Sequence, residues 1–259
     1  AHPWRETEVD FLVNTAGRLR IWKPPEEGSA YIVGADVAGG IRDGDWSVGY
    51  VFDRRRREIA ARYRAKVNPM LFADDLMALS WFYGEAFLAV ESNNVGAITA
   101  RIISQRYSRS CYMVKNMVSG EPDPERPGWW TSHANRKHML ASLRQALSDR
   151  TVIFPCDEFC REAKSFVLRE LEDGRLDEDR PRSTGRHDDC IMAAAITLWV
   201  DDPIVSGAIR RAKPWPEALP ATWQLAALKR DMENERKEAK RPNIPFAYGG
   251  RIYDLEEML

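Results

Sequence analysis

Three sets of carboxylates in this chain sit where apolar runs end or begin. Asp36 closes the run from Tyr31 to Ala35, Glu91 closes the run from Ala86 to Val90, and the pair Asp188-Asp189 opens the segment Cys190 to Val200. A carboxylate carried on a buried element is costly unless a cation or hydrogen bonds satisfy it. Three such sites in one chain suggest a divalent-metal centre. Each also has an ordinary reading. Asp36 would serve as a turn residue capping the glycine loop that follows it, and Glu91 would pair with Arg101 or another neighbour. Asp188 and Asp189 would serve as N-cap and N1 residues of a helix, where the dipole favours acids. The constellation outweighs its parts, because all three ordinary readings must hold together for the metal site to vanish.

The elements that must position these acids can be read from hydrophobic period and turn residues. Residues 1–16 read as an entry linker with a short helix, and Arg18 to Lys23 as an edge strand. Tyr31–Asp36, Trp46–Asp53 and Arg57–Arg64 form an antiparallel meander, the first two joined by a glycine-rich turn and the last two by the arginine run Arg54 to Arg57. Asn68-Pro69 opens a helix over 71–83. The continuous apolar run Phe87–Val90 predicts a buried parallel strand, followed by a helix from Val95 to Gln105. The Pro/Gly-rich stretch Met117 to Trp129 predicts a loop. Thr131 and Ser132 cap a helix from about Arg136 to Leu147, a short strand spans Thr151–Phe154, and a helix spans Asp157 to Leu171 with a turn after it. The last core helix is Cys190–Trp199. Beyond it, residues 204–259 read as an extension with a charged helix near Trp223–Lys240.

With 259 residues, 44% of them hydrophobic and 30% charged, the chain has the composition of an ordinary globular protein with one large domain. No apolar run approaches the roughly 18 residues of a membrane span, and the N-terminus has no secretory h-region. The four cysteines show no CxxC spacing, which excludes the common zinc and disulfide frameworks. A formal net charge of −1 argues against nucleic acid, yet the charge is segregated. Arg101 to Ser119 carries four bases and no acid, and Arg42 to Met70 eight bases against four acids, whereas Asp157 to Asp179 carries nine acids against four bases. Arg54, Arg55, Arg56, Arg101, Arg106 and Arg136 are therefore candidate phosphate contacts, with a solvated hairpin tip as the alternative for the arginine run.

A three-strand meander with an acid on its first strand, then an acid on the next buried strand and an acid opening a late helix, resembles the ribonuclease H-like nuclease fold. The motifs are most similar to the nuclease domain of the large terminase subunit of tailed bacteriophages. They are Gly34-Ala35-Asp36-Val37-Ala38-Gly39 with Gly44-Asp45-Trp46-Ser47, Val90-Glu91-Ser92-Asn93-Asn94 with Gly96, Gly128-Trp129-Trp130-Thr131 with Arg136, and Gly185-Arg186-His187-Asp188-Asp189 before a helix of small residues. The resemblance runs over roughly residues 15–200 with its motifs in order.

It implies an α/β fold with a ribonuclease H-like mixed sheet over residues 17–203, and a metal-dependent endonuclease that cuts concatemeric viral DNA during genome packaging with little sequence preference. The physical logic is that two divalent cations, Mg2+ or Mn2+, about 3.5–4 Å apart hold the attacking water and the leaving oxygen of a phosphodiester. Asp36 would bridge them, Glu91 would complete one coordination sphere, and Asp188 or Asp189 the other. Adjacent helical residues point about 100° apart, so one of that pair binds directly and its neighbour hydrogen-bonds. His187 either ligates a metal, orients the phosphate or is structural. Asn93 and Asn94 are helix caps or substrate contacts, Trp129 and Trp130 pack the loop or stack on DNA, and Arg136 and Lys137 bind phosphate or solvate their helix. The implied partners are double-stranded DNA, the packaging ATPase domain of the same subunit, the small terminase subunit and the portal, in the cytoplasm of the infected bacterial host. No phosphate-loop motif G-x-x-x-x-G-K-[ST] is present, so the expectation is a nuclease part without the motor. A junction resolvase or transposase-like enzyme of the same fold, and a DNA or portal docking module without catalysis, are the rivals.

Overall fold

In the computed structural model, the described residues are 17–107, 110–115, 121–170, 176–183, 187–201, 246–248 and 251–253. The meander forms as its apolar runs require. The short strand β1 (Leu19–Ile21) lies antiparallel to β4 (Glu58–Ala65), which pairs with β3 (Ser47–Asp53), which pairs with β2 (Tyr31–Asp36). The fifth strand, β5 (Phe87–Val90), runs parallel to β2 with Ala35 opposite Val90, giving a sheet of order β1-β4-β3-β2-β5. Every residue of β3 is buried, as expected of a strand covered on both faces.

Helix α1 (Pro69–Phe82) covers one face. Asn68 caps it by accepting a hydrogen bond from the Leu71 N–H, and Pro69 occupies its first turn. Its Leu76 sits where Gly49 leaves room in β3. Helix α2 (Gly96–Arg106) packs against α1. On the opposite face α5 (Asp189–Trp199) lies across β2 and β3. Gly34 makes that approach possible, because a Cβ there would stand 2.2 Å from Thr197 Oγ1 and 2.6 Å from the Thr197 backbone. Helix α3 (His133–Ser148) begins with a capping box, Ser132 and Asn135 each accepting from the other's backbone N–H, and packs on α5.

Three stretches differ from the sequence expectation. The Pro/Gly-rich stretch expected as a loop contains β7 (Pro122–Pro127), antiparallel to β6 (Met113–Lys115). A two-stranded ribbon leaves half its amides unpaired, so prolines cost it little. The helix expected to reach Leu171 ends at Ser165 as α4 (Asp157–Ser165), and the chain continues as a hairpin of β8 (Phe166–Glu170) and β9 (Leu176–Ser183). The strand expected at Thr151–Phe154 is a single parallel bridge between Ile153 and Glu58. Residues 1–16 and the charged helix near 223–240 lie outside the described residues.

The chain divides into two compact units, Ala1–Trp215 and Pro216–Leu259. Within the second, β10 (Phe246–Tyr248) pairs antiparallel with β11 (Arg251–Tyr253).

Candidate metal centre

Asp36 is the last residue of β2, and Glu91 follows the last residue of β5. Because the two strands are parallel neighbours, with the Glu91 N–H donating to the Ala35 carbonyl at 2.8 Å, the two carboxylates emerge side by side from the same end of the sheet. α5 starts against that end. Asp188 occupies the N-cap position but makes no capping hydrogen bond. Its carboxylate instead accepts from Arg136 at 3.0 Å. The cap is supplied from another helix: Glu162 of α4 accepts from the Cys190 N–H at 2.8 Å and the Ile191 N–H at 3.4 Å. The ordinary reading of Asp188 as an N-cap side chain is therefore not the arrangement found.

Asp189 is buried, and its Oδ2 accepts from the Trp46 N–H at 3.0 Å. His187 Nδ1 stands 3.1 Å from Asp45 Oδ1 and 3.6 Å from Asp189 Oδ2. Asp45, His187 and Asp189 each bring a donor atom within 4.8 Å of the others, the one such group among the described residues.

Electrostatics joins this group to the strand-end pair. The Asp36 carboxyl is held well above the usual carboxylate range, first by burial, then by the charge of Glu91 and a hydrogen bond to it, and then by Asp189 and Asp188. Asp189 is pushed up from 3.8 to about 6 by burial, with Asp45 and Glu162 adding to the shift and the Trp46 N–H and His187 opposing it. Crowded carboxylates that hold protons this tightly accept a hard cation in the proton's place, so the donor set of carboxylate oxygens with one imidazole fits a divalent ion.

The structure thus brings together Asp36, Glu91, His187, Asp188, Asp189 and Arg136, and adds Asp45 and Glu162. Asp45 stands in the Gly44-Asp45-Trp46-Ser47 motif, but nothing in its spacing separates it from an ordinary loop acid. Glu162 has no local signal at all, because it caps a helix that begins 27 residues later in the chain. The arginines of the run Arg54 to Arg57 lie elsewhere. β3 runs antiparallel to β2, so the turn from Arg54 to Arg57 is at the opposite end of the sheet from Asp36, about 20 Å away at 3.3 Å per residue. There Arg54 pairs with Asp201 at 2.6 Å, Arg57 binds the same carboxylate, and Arg56 pairs with Glu26 at 2.7 Å, leaving Arg55 exposed. Arg106 pairs with Asp74 at 2.7 Å, and Arg101 stands 3.7 Å from Glu125.

The neighbouring loop is fixed by backbone bonds. The Trp129 N–H donates to the Val90 carbonyl and its own carbonyl accepts from the Ser92 N–H, both at 2.7 Å. The Asn93 side chain donates to the Thr131 carbonyl at 2.7 Å and accepts from its N–H at 2.8 Å. Trp129 is buried in the core and Trp130 is 51% exposed.

No protein-family model matches the chain, and no curated protein matches it. Among solved structures it is similar to the large terminase nuclease from thermophilic phage G20c, at 20% identity and a TM-score of 0.53 over 72% of this chain and 90% of that one. The same nuclease with bound magnesium aligns at 20% identity and a TM-score of 0.56, over 72% of this chain and 89% of that one. The Thermus phage P74-26 large terminase nuclease domain aligns at 21% identity and a TM-score of 0.54, over 72% and 87%. At such identities the likeness establishes a shared fold, which is the ribonuclease H-like mixed sheet flanked by helices.

Proposed function

We propose that this chain is a metal-dependent DNA endonuclease of the large-terminase type, cutting concatemeric viral DNA during packaging with little sequence preference. The observation that carries this reading is the strand-end pair Asp36 and Glu91, with Asp188 and Asp189 acting on Asp36 from the start of α5. Similar folds described as terminase nucleases, one with bound magnesium and one with bound cobalt, support it.

Two ions, Mg2+ or Mn2+, held by Asp36, Glu91 and the Asp188-Asp189 pair, would supply Lewis-acid activation of a water and stabilise charge on the departing phosphodiester oxygen. Around that chemistry the chain's own groups orient and neutralise. The ladder between β2 and β5 fixes Asp36 against Glu91, and the Trp46 N–H fixes Asp189. Asp189 would be the direct ligand of the pair, since Asp188 is engaged by Arg136. Arg136 keeps further N–H groups with which to meet a phosphate oxygen. His187, with Nδ1 turned to Asp45 and Asp189, has Nε2 left to exchange a proton or hold a phosphate oxygen. The partners on this reading are double-stranded DNA, the packaging ATPase domain, the small subunit and the portal, within the infected bacterial cytoplasm. No described helix is long and apolar enough to cross a membrane.

The test is cleavage of supercoiled plasmid in Mg2+, Mn2+ or EDTA, beside Asp36→Ala. Cutting is expected with either metal and not in EDTA, with a loss on the order of a thousandfold in Asp36→Ala, as removal of several kcal/mol of metal-derived stabilisation requires. DNA binding without cutting in either metal would overturn the proposal in favour of a docking module. Cutting confined to branched DNA would favour a junction resolvase.

A further inference from the structure

The carboxylate end of the sheet presents a line of side chains that crosses it strand by strand. β4 ends with Arg64 and Ala65 and is followed by Lys66; Trp46 precedes β3; Asp36 ends β2; Glu91 follows β5; and Trp129, with Trp130 after it, pairs in parallel with Glu91 beyond the sheet. Asp36 lies opposite Val48 and Val48 opposite Arg64. Directly opposed residues share a face, so Arg64 stands two strand spacings from Asp36, about 10 Å. From β4 to Trp129 the line crosses four spacings, about 19 Å. Phosphates of one DNA strand follow each other at about 3.4 Å of rise, so about five or six of them cover that length.

Both flanks are basic and aromatic. On one, the Arg64 guanidinium carbon lies 3.9 Å from the Trp46 ring centre and Lys66 Nζ lies 4.7 Å from it, while Arg64 Nε is buried with no hydrogen-bond partner among the described residues. On the other, beside Glu91, a cavity of about 210 Å³ is lined by Ser92, Arg101, Glu125, Arg126 and Trp130 among others. Arg126 and Trp130 are exposed there. The arginine run Arg54 to Arg57, by contrast, is at the far end of the sheet and spends three of its four guanidinium groups on Glu26 and Asp201.

We propose that DNA crosses the carboxylate end of the sheet at right angles to the strands, its backbone held by Arg64 and Lys66 beside Trp46 on one flank and by Arg101 and Arg126 beside Trp130 on the other. The phosphate to be cut then lies between the flanks, over Asp36 and Glu91. This rests on the nuclease reading above and adds to it the direction of the substrate and the residues that hold it. Trp130 gives the sugar-phosphate chain an apolar wall, and the cavity beside it admits the chain between two guanidinium groups. Lys66 and Arg126 are the informative positions, because neither is buried and neither touches the carboxylates.

The experiment measures binding of a short fluorescent duplex by anisotropy between 50 and 200 mM salt, with Ca2+ present to neutralise the acids. Wild type is compared with Lys66→Gln, Arg126→Gln, the double variant and Arg55→Gln, and plasmid cleavage in Mg2+ is run in parallel. Each lost phosphate contact lowers the salt slope by about 0.9, so affinity should fall about 3.5-fold less over that range in each single variant and about 12-fold less in the double. Arg55→Gln should match wild type. Unchanged slopes in Lys66→Gln and Arg126→Gln, or a loss confined to Arg55→Gln, would overturn the proposed path even if wild type cuts plasmid. The expected slope losses in a chain that never cuts would uphold the path and sink the nuclease reading alone.

Discussion

Replacing Asp189 by Asn should make the metal-free protein more stable while removing the nuclease activity proposed above. Asp189 is 5% exposed, and burial with like charge around it moves its pKa from 3.8 to about 6. That displacement corresponds to about 3 kcal/mol. The folded chain binds this proton more tightly than the unfolded chain does. As pH rises from about 4 to about 6 the unfolded chain releases its proton first, so folding stability falls across that window and the full penalty is present above about pH 7. Asn carries no charge and keeps an oxygen for the Trp46 N–H now bound at 3.0 Å. His187 loses an anionic neighbour, which offsets part of the gain. A net gain of about 1–3 kcal/mol at pH 8 remains, which raises Tm by roughly 2–12 °C for a folded unit of this size. Thermal unfolding followed by tryptophan fluorescence in EDTA, at pH 8 and near pH 4, gives the comparison. The variant should melt above wild type at pH 8, with the gap closing towards pH 4. Added Mg2+ should then stabilise wild type far more than the variant. A variant no more stable than wild type at pH 8, or a gain of equal size near pH 4, would refute the account of a strained carboxylate cluster.

Two further perturbations test how the cluster is held. Glu162→Ala removes both side-chain bonds at the start of α5 and should cost about 1–2 kcal/mol, lowering Tm by roughly 2–8 °C, while Glu162→Gln keeps an acceptor and loses less; equal melting of all three proteins would show that α5 needs no cap from α4. Gly34→Ala sets a methyl group into Thr197 and should lower the urea midpoint by an amount equivalent to about 1–3 kcal/mol or more, since α5 must lift from β2 to admit it. A Gly34→Ala protein with an unchanged midpoint would contradict the close approach of those two elements.

The meander, the parallel strand β5 and the helices around them were legible because their residues repeat at the period of the element they form and glycine or proline marks their ends. Asp36 and Glu91 followed from being the first polar residues after buried runs. β8 and β9 were not legible, because a strand reading Leu176-Asp177-Glu178-Asp179-Arg180-Pro181-Arg182-Ser183 has charge where the strand signal expects apolar side chains, and only its partner makes it a hairpin. β7 was hidden by prolines for a related reason, since a ribbon edge tolerates what a sheet interior rejects. Asp45 and Glu162 reach the centre through tertiary contacts between segments distant in the chain. The arginine run stands out by composition, although the meander dictates its position: a strand leaving Asp36 and returning antiparallel places its far turn away from that acid.

The two ends of α5 are fastened to different parts of the molecule. Glu162 grips the first amides of the helix, and past its last turn Asp201 is gripped by Arg54 and Arg57 from the β3–β4 turn. The helix is therefore a strut of set length between two anchors, and the arginine run is one of the anchors. A residue inserted within it would advance one end by about 1.5 Å and rotate it by about 100°, so Asp189 could not keep its bond to Trp46 while Asp201 kept its bonds to the arginines. The geometry of the carboxylates at one end of the sheet is in this way gauged against a clasp at the other, and variation in chain length in this part of the molecule is expected in the connections around α5 and not within it.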